Sequence, residues 1–350
     1  MRFRQPRTAL LAVTAAAVVA GTGFATATAA GAVIDPVAEQ VAPAQSTPTQ
    51  PPPAYPNPGF ITGSTGAHDP TMVRRPDGSY LVATTGDGIA LKTSADRIAF
   101  HNAGSVWPGG APWTTPYTGG SRNLWAPDLS FHNGRYYLYY SASTFGSRRS
   151  AIFLATSPTG AAGSWTHRGL VIETSDSDNF NAIDPNLIVD AQGQWWLSFG
   201  SFWSGIKLIR LDNATGLRST SDPAIRSLAS RPNAGGAVEA PFIFRHGSFY
   251  YLLVSFDLCC RGSDSTYRIM VGRSTSITGP YLDRNGTPLT AGGGTQILAR
   301  HGNVIGPGHP AVMPDVDGTV LVYHYYTPND SALLGINLLG FDTAGWPFVY

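Results

Sequence analysis

Asn181-Ala182-Ile183-Asp184-Pro185-Asn186, then Leu187-Ile188-Val189, then Gly193-Gln194-Trp195-Trp196, is the stretch that decides the fold. An acidic residue stands before a proline, a short apolar run follows, a glycine turns the chain and an aromatic strand returns. Proline belongs at the first residue of a strand, where no ladder donor is lost, so Asp184 is predicted at a strand start. The unit recurs as His68-Asp69-Pro70 with Gly78-Ser79-Tyr80, and as Trp125-Ala126-Pro127-Asp128 with Gly134-Arg135-Tyr136-Tyr137. Two further copies are Val238-Glu239-Ala240-Pro241 with Gly247-Ser248-Phe249-Tyr250-Tyr251, and Gly308-His309-Pro310 with Gly318-Thr319-Val320-Leu321. The turn glycines are spaced by about 56, 59, 54 and 71 residues, a period that signals a repeat architecture. Each interval has room for about four strands, one propeller blade. The predicted fold is therefore all-β, a five-bladed β-propeller, with Asp69, Asp184, Glu239 and His309 delivered to one end of one axis. A sandwich would scatter them.

Outward from the repeat, residues 59–350 form the predicted domain. Upstream, Arg2, Arg4 and Arg7 precede an apolar run from Ala9 to Ala20 and a small-residue zone through Ala30. That is the pattern of a secretory signal over residues 1–30, too short for a membrane span. Residues 31–58 are rich in Ala, Pro, Gln and Thr and include Pro51-Pro52-Pro53, which reads as an exposed linker. Only 13% of residues are charged, against about 25% in typical domains. The 16 Phe, 15 Tyr and 8 Trp nonetheless supply a large core. A net charge of +1 gives no basic face for nucleic acid. The expectation is a secreted monomer that engages neither nucleic acid nor membrane.

Acidic residues number 22 in 350, and three of them fall at equivalent inward positions. Like charges in a sheltered cleft raise one pKa, creating a proton donor beside a base. That pairing is what glycosidic hydrolysis requires. The plain alternative is that Asp-Pro and Glu-Ala-Pro merely start strands. A sugar-binding propeller without catalysis would have lost one of the three carboxylates, and none is lost.

Together the five strand-start motifs resemble those of glycoside hydrolase family 43. Leu197-Ser198-Phe199-Gly200-Ser201-Phe202-Trp203-Ser204-Gly205-Ile206 and Phe256-Asp257-Leu258-Cys259-Cys260-Arg261-Gly262 are similar to its endo-1,5-α-L-arabinanase branch. The resemblance implies endo-acting hydrolysis of α-1,5-arabinan, the side chain of pectin, with inversion. It makes Asp69 the general base, Glu239 the general acid and Asp184 the residue that raises the acid's pKa. It implies substrate contacts from Asn181, Ala182, Ile183, Asp184, Gly200, Ser201 and Phe202. The loop Ser143-Thr144-Phe145-Gly146 is expected to border the same cleft, and Trp125 and Phe202 could stack on sugar faces. Family resemblance also implies a calcium ion on the axis with His309 as its protein ligand, which the residues alone would not suggest, since calcium prefers oxygen. An exo-acting arabinofuranosidase or β-xylosidase on the same scaffold, or a fructan-cleaving propeller, remain alternatives. His309-Pro310 departs from the family pattern, where a small polar residue is expected, and little chain remains after Trp346 to complete the last blade.

Cys259 and Cys260 are adjacent, and in an exported protein they are expected to be oxidised. Neighbouring Cα atoms lie about 3.8 Å apart, below the usual disulfide span of about 4.4–6.8 Å. A strained vicinal bridge at the cleft rim and a pair of thiols both stay open. Asn213, Asn285 and Asn329 stand in glycosylation acceptor patterns, which are common by chance.

Overall fold

The computed structural model describes residues 55–350. The signal segment and residues 31–54 of the linker lie outside the described residues. Five sheets follow one another along the chain, and their first strands touch in a closed ring. Those strands are Thr71–Arg74, Asn123–His132, Asn186–Val189, Val238–His246 and Ile305–Asp315. Each is followed by three antiparallel neighbours, as in Val238–His246, Phe249–Phe256, Arg268–Ser274 and Thr295–Leu298. This is the predicted five-bladed β-propeller. Among the described residues no helix is long and apolar enough to cross a membrane.

The middle strands explain the charge-poor composition. Tyr80–Thr84, Ser150–Ser157 and Trp195–Phe199 are buried along their whole length. A sheet packed on both faces needs continuous apolar runs rather than alternation. Leu81, Leu91, Leu138, Tyr140 and Phe153, from blades one and two, share one core cluster. Corresponding clusters pair the remaining neighbours.

The last blade is closed from both chain ends. Pro347–Val349 pairs with Phe341–Leu339 of the third strand, so three residues after Trp346 suffice. The other half of that strand takes the incoming chain, through Gly59 N–H to Ile336 O at 2.8 Å and Leu334 N–H to Thr65 O at 2.8 Å. Thr62–Gly63 then pairs with the outer strand of blade one.

The X-Pro units refine the predicted strand starts. The residue before each proline is left-handed: Asp69 at φ 49°, Ala126 at 47°, Asp184 at 58°, Ala240 at 54° and His309 at 52°. A pre-proline residue ordinarily takes an extended conformation, and a left-handed non-glycine residue costs on the order of 1–3 kcal/mol. Each is held by its N–H, which donates to a side chain reaching across from the preceding blade. The partners are His324 Nδ1 for Asp69 (3.1 Å), Thr85 Oγ for Ala126 (2.8 Å), Ser141 Oγ for Asp184 (3.0 Å), Asp184 Oδ2 for Ala240 (3.1 Å) and Ser255 Oγ for His309 (2.8 Å). In blades two and four the left-handed residue is alanine, and Trp125 and Glu239 stand one position earlier.

Candidate active site

The five left-handed turns open onto one cleft of about 720 Å³ at the end of the axis, within the range of about 300–1,000 Å³ that buries a drug-sized ligand. Asp69, Asp184, Glu239 and His309 all line it. The sequence unit thus becomes a site because each blade offers the same strained step to the same mouth.

Asp69 is enclosed by donors. Thr85 Oγ donates to Oδ2 at 2.6 Å, His68 Nδ1 stands 2.9 Å from the same oxygen and His309 Nδ1 3.2 Å from Oδ1. Burial opposes ionisation, but the electrostatic pull of His68 and His309 and their hydrogen bonds win, and the carboxyl is held well below the usual range.

Glu239 has the opposite surroundings. Its Oε2 accepts from Ser201 Oγ at 2.6 Å and its Oε1 from the Tyr267 hydroxyl. Among the described residues no cation forms an ion pair with it. Burial first, then the charge of Asp184, lift it to about 8, against the Ser201 hydrogen bond. Asp184 sits beside it, accepting the Ala240 N–H, and is itself raised to about 6, by burial above all. Burial would lower His309, yet Asp69, Asp184 and Glu239 raise it to about 9. At neutral pH the cleft therefore holds two ionised carboxylates, Asp69 and Asp184, and one protonated carboxylic acid, Glu239.

Of the expected sugar contacts, Trp125, Gly146, Asn181, Ile183, Ser201 and Phe202 line the cleft. Two do not reach it. Ala182 is fully buried among the blade-two and blade-three apolar residues, its N–H given to Thr174 Oγ. Gly200 serves the backbone: at φ 130°, a Cβ there would lie 2.7 Å from the Gly205 carbonyl oxygen. Cys259 and Cys260 form a vicinal disulfide on the cleft wall, which closes the question left by the sequence. Sequence reading missed His68, Thr85 and Tyr267. Thr85 had a signal, since just past the second strand of its blade it matches the place that Ser141 and Ser255 hold near the end of theirs. Tyr267 had none, because it lies in a loop and meets Glu239 only in the folded blade.

The calcium expectation can be tested on the donor chemistry. His309 offers one ring nitrogen, and the carboxylates that raise it form a field suited to a cation. Calcium takes about six to eight mostly oxygen ligands, so His309 would hold it with waters completing the shell. The nearby cluster of His68, Cys259 and His324 is a different matter. Cys259 is in the disulfide, and His324 Nδ1 accepts the Asp69 N–H, which leaves the ring proton on Nε2 and no lone pair toward the sulfur.

An acid and a base split by environment, in a cleft at the axis of a five-bladed propeller, define a glycoside hydrolase. Comparison with known proteins bears this out, for residues 56–347 match the model of glycosyl hydrolases family 43, and the chain belongs to that family. It is 44% identical over 286 residues to an extracellular endo-α-(1→5)-L-arabinanase of Bacillus subtilis, covering 80% of this chain and 86% of that one. A GH43 endo-arabinanase structure from Bacillus licheniformis superposes with a TM-score of 0.77 at 44% identity, over 83% of this chain and 99% of that one. An exo-1,5-α-L-arabinanase structure from a bovine ruminal metagenomic library superposes at 0.76 with 40% identity, over 81% and 97%.

Proposed function

We propose that this enzyme cleaves α-1,5-linked L-arabinan internally, by single displacement with inversion, as an exported monomer acting on pectin side chains. The observation that carries the mechanism is the opposed state of two carboxyls in one cleft: Asp69 held ionised by histidines, Glu239 held protonated to about 8. Asp69 takes a proton from water as that water attacks the anomeric carbon. Glu239 gives its proton to the departing glycosidic oxygen and leaves as a carboxylate, which Ser201 and Tyr267 are placed to stabilise. Asp184 keeps the proton on Glu239 until then. When bound at His309, calcium would supply a fixed positive charge beside Asp69 and Asp184. Endo action is supported by the endo-acting relatives at 44% identity.

Early-time NMR of linear arabinan digests tests the stereochemistry. A β-configured first product fits inversion, and an α-configured one overturns the role of Asp69 as base. Product sizing in the same digests separates the two cleavage modes. Mixed oligosaccharides appear early in endo action, whereas a single short product favours the mode of the exo-acting neighbour.

A further inference from the structure

We infer that His68 and Tyr326 are positioning residues for Asp69, and that the Cys259–Cys260 bridge anchors them. The inference rests on reading Asp69 as the base. The Cys260 N–H donates to Tyr326 Oη at 3.2 Å. Oη has one proton to give, and His68 Nε2, 2.8 Å away, is its nearest acceptor, against 3.5 Å for Cys259 Sγ. A His68 ring that accepts at Nε2 carries a proton on Nδ1, 2.9 Å from Asp69 Oδ2. That nitrogen is buried and has no other partner among the described residues; the approach is bent, so the contact is chiefly electrostatic. The ring is held in place by His324, stacked at 4.1 Å, and by the sulfurs of Cys259 and Cys260, 3.6 and 3.8 Å from Nε2.

The consequence falls on the two oxygens of Asp69. Oδ2 takes both Thr85 and His68, while among the described residues Oδ1 faces only His309 Nδ1 as a donor, at 3.2 Å. Oδ1 is thereby the oxygen left to accept the attacking water. Outer partners of this kind orient a reactive group and typically cost about 10–100-fold when removed from metal-site histidines. His68 and Tyr326 are 258 residues apart, so the relay exists only when blade five meets blade one.

The test is steady-state kinetics of the full chain on linear arabinan and on an aryl arabino-oligosaccharide with a good leaving group. His68→Ala and Tyr326→Phe should lower kcat about 10–100-fold on both substrates with KM little changed, by analogy with such outer partners. Both substrates need the base, whereas lesions on the acid side spare the activated one. His68→Asn should recover much of the loss, since its amide N–H stands near the position of Nδ1. Equal losses in His68→Asn and His68→Ala, or a loss confined to KM or to arabinan, would overturn the inference. Should His68→Ala fail to fold, Tyr326→Phe decides alone, and wild-type kcat in it sinks the relay. Dithiothreitol should lower kcat in the wild type and leave Tyr326→Phe where it was; a wild type indifferent to reduction removes the bridge as anchor. Asp69→Asn separates the two readings. If it stays active, Asp69 is not the base; if it is dead while Tyr326→Phe matches wild type, only the relay falls.

Discussion

Blades one and four present the same backbone step to the same cleft, yet the carboxyls they carry are driven apart. On the blade-one side Asp69 meets imidazole nitrogens and a threonine hydroxyl. On the blade-four side Glu239 meets two hydroxyls and the charge of a second carboxylate. Both are enclosed, so burial does not distinguish them. The difference lies in the sign of the neighbours, and it shows how a repeated fold assigns opposite roles to one position without changing its geometry.

Breaking the base side should have the largest effect. Asp69→Asn should lower kcat by at least the about 10²–10⁴-fold typical of a general base, on arabinan and on an activated aryl substrate alike. Glu239→Gln should lose a similar factor on arabinan but much less on the activated substrate, and equal losses on both would count against it as the acid. Asp184→Asn sharpens the comparison. Removing its charge lowers the pKa of Glu239 from about 8, so the alkaline limb of the kcat profile should move to lower pH; a limb that stays put or rises would remove Asp184 as the group that holds the proton. Gly308→Ala acts indirectly. Its Cβ would stand 2.0 Å from Tyr267 Cδ2, forcing away the ring that bonds Glu239. Overpacking of this sort costs about 1–3 kcal/mol, visible as a lower Tm together with weaker arabinan cleavage. The smallest effect is expected from chelation: EDTA should lower Tm by a few degrees in the wild type and not in His309→Ala.

The repeat was legible because proline and glycine punctuate it, and both act through the backbone alone. Asp69, Asp184, Glu239 and His309 could be aligned on the axis for that reason. Position within the unit was less legible. Glu239 precedes alanine, not proline, and the pattern did not say that the pre-proline residue would be left-handed, since local preference points the other way and the hydrogen bonds that hold it come from another blade. Ala182 and Gly200 belong to stretches whose resemblance implies sugar contacts, but the loop before Asn186 turns one into the core and a tight turn uses up the other. His68, Tyr267 and Tyr326 meet their partners across distant stretches of chain, where no spacing in the sequence can announce them.

The double stitching of the last blade has a bearing on biosynthesis. Asn337 donates to the carbonyl of Asn57, 280 residues upstream, and the strand that receives the incoming chain is among the last to be made. A ribosome emits residues in order, so Asn57 and Gly59 wait for their blade-five partners through synthesis of nearly the whole propeller. Blades can form their internal hairpins as they emerge, but the ring and the cleft at its mouth are assembled only once blade five has been made. Contacts of such long range fold slowly. The catalytic centre is thus completed only with blade five, and activity waits for that blade to dock on blade one.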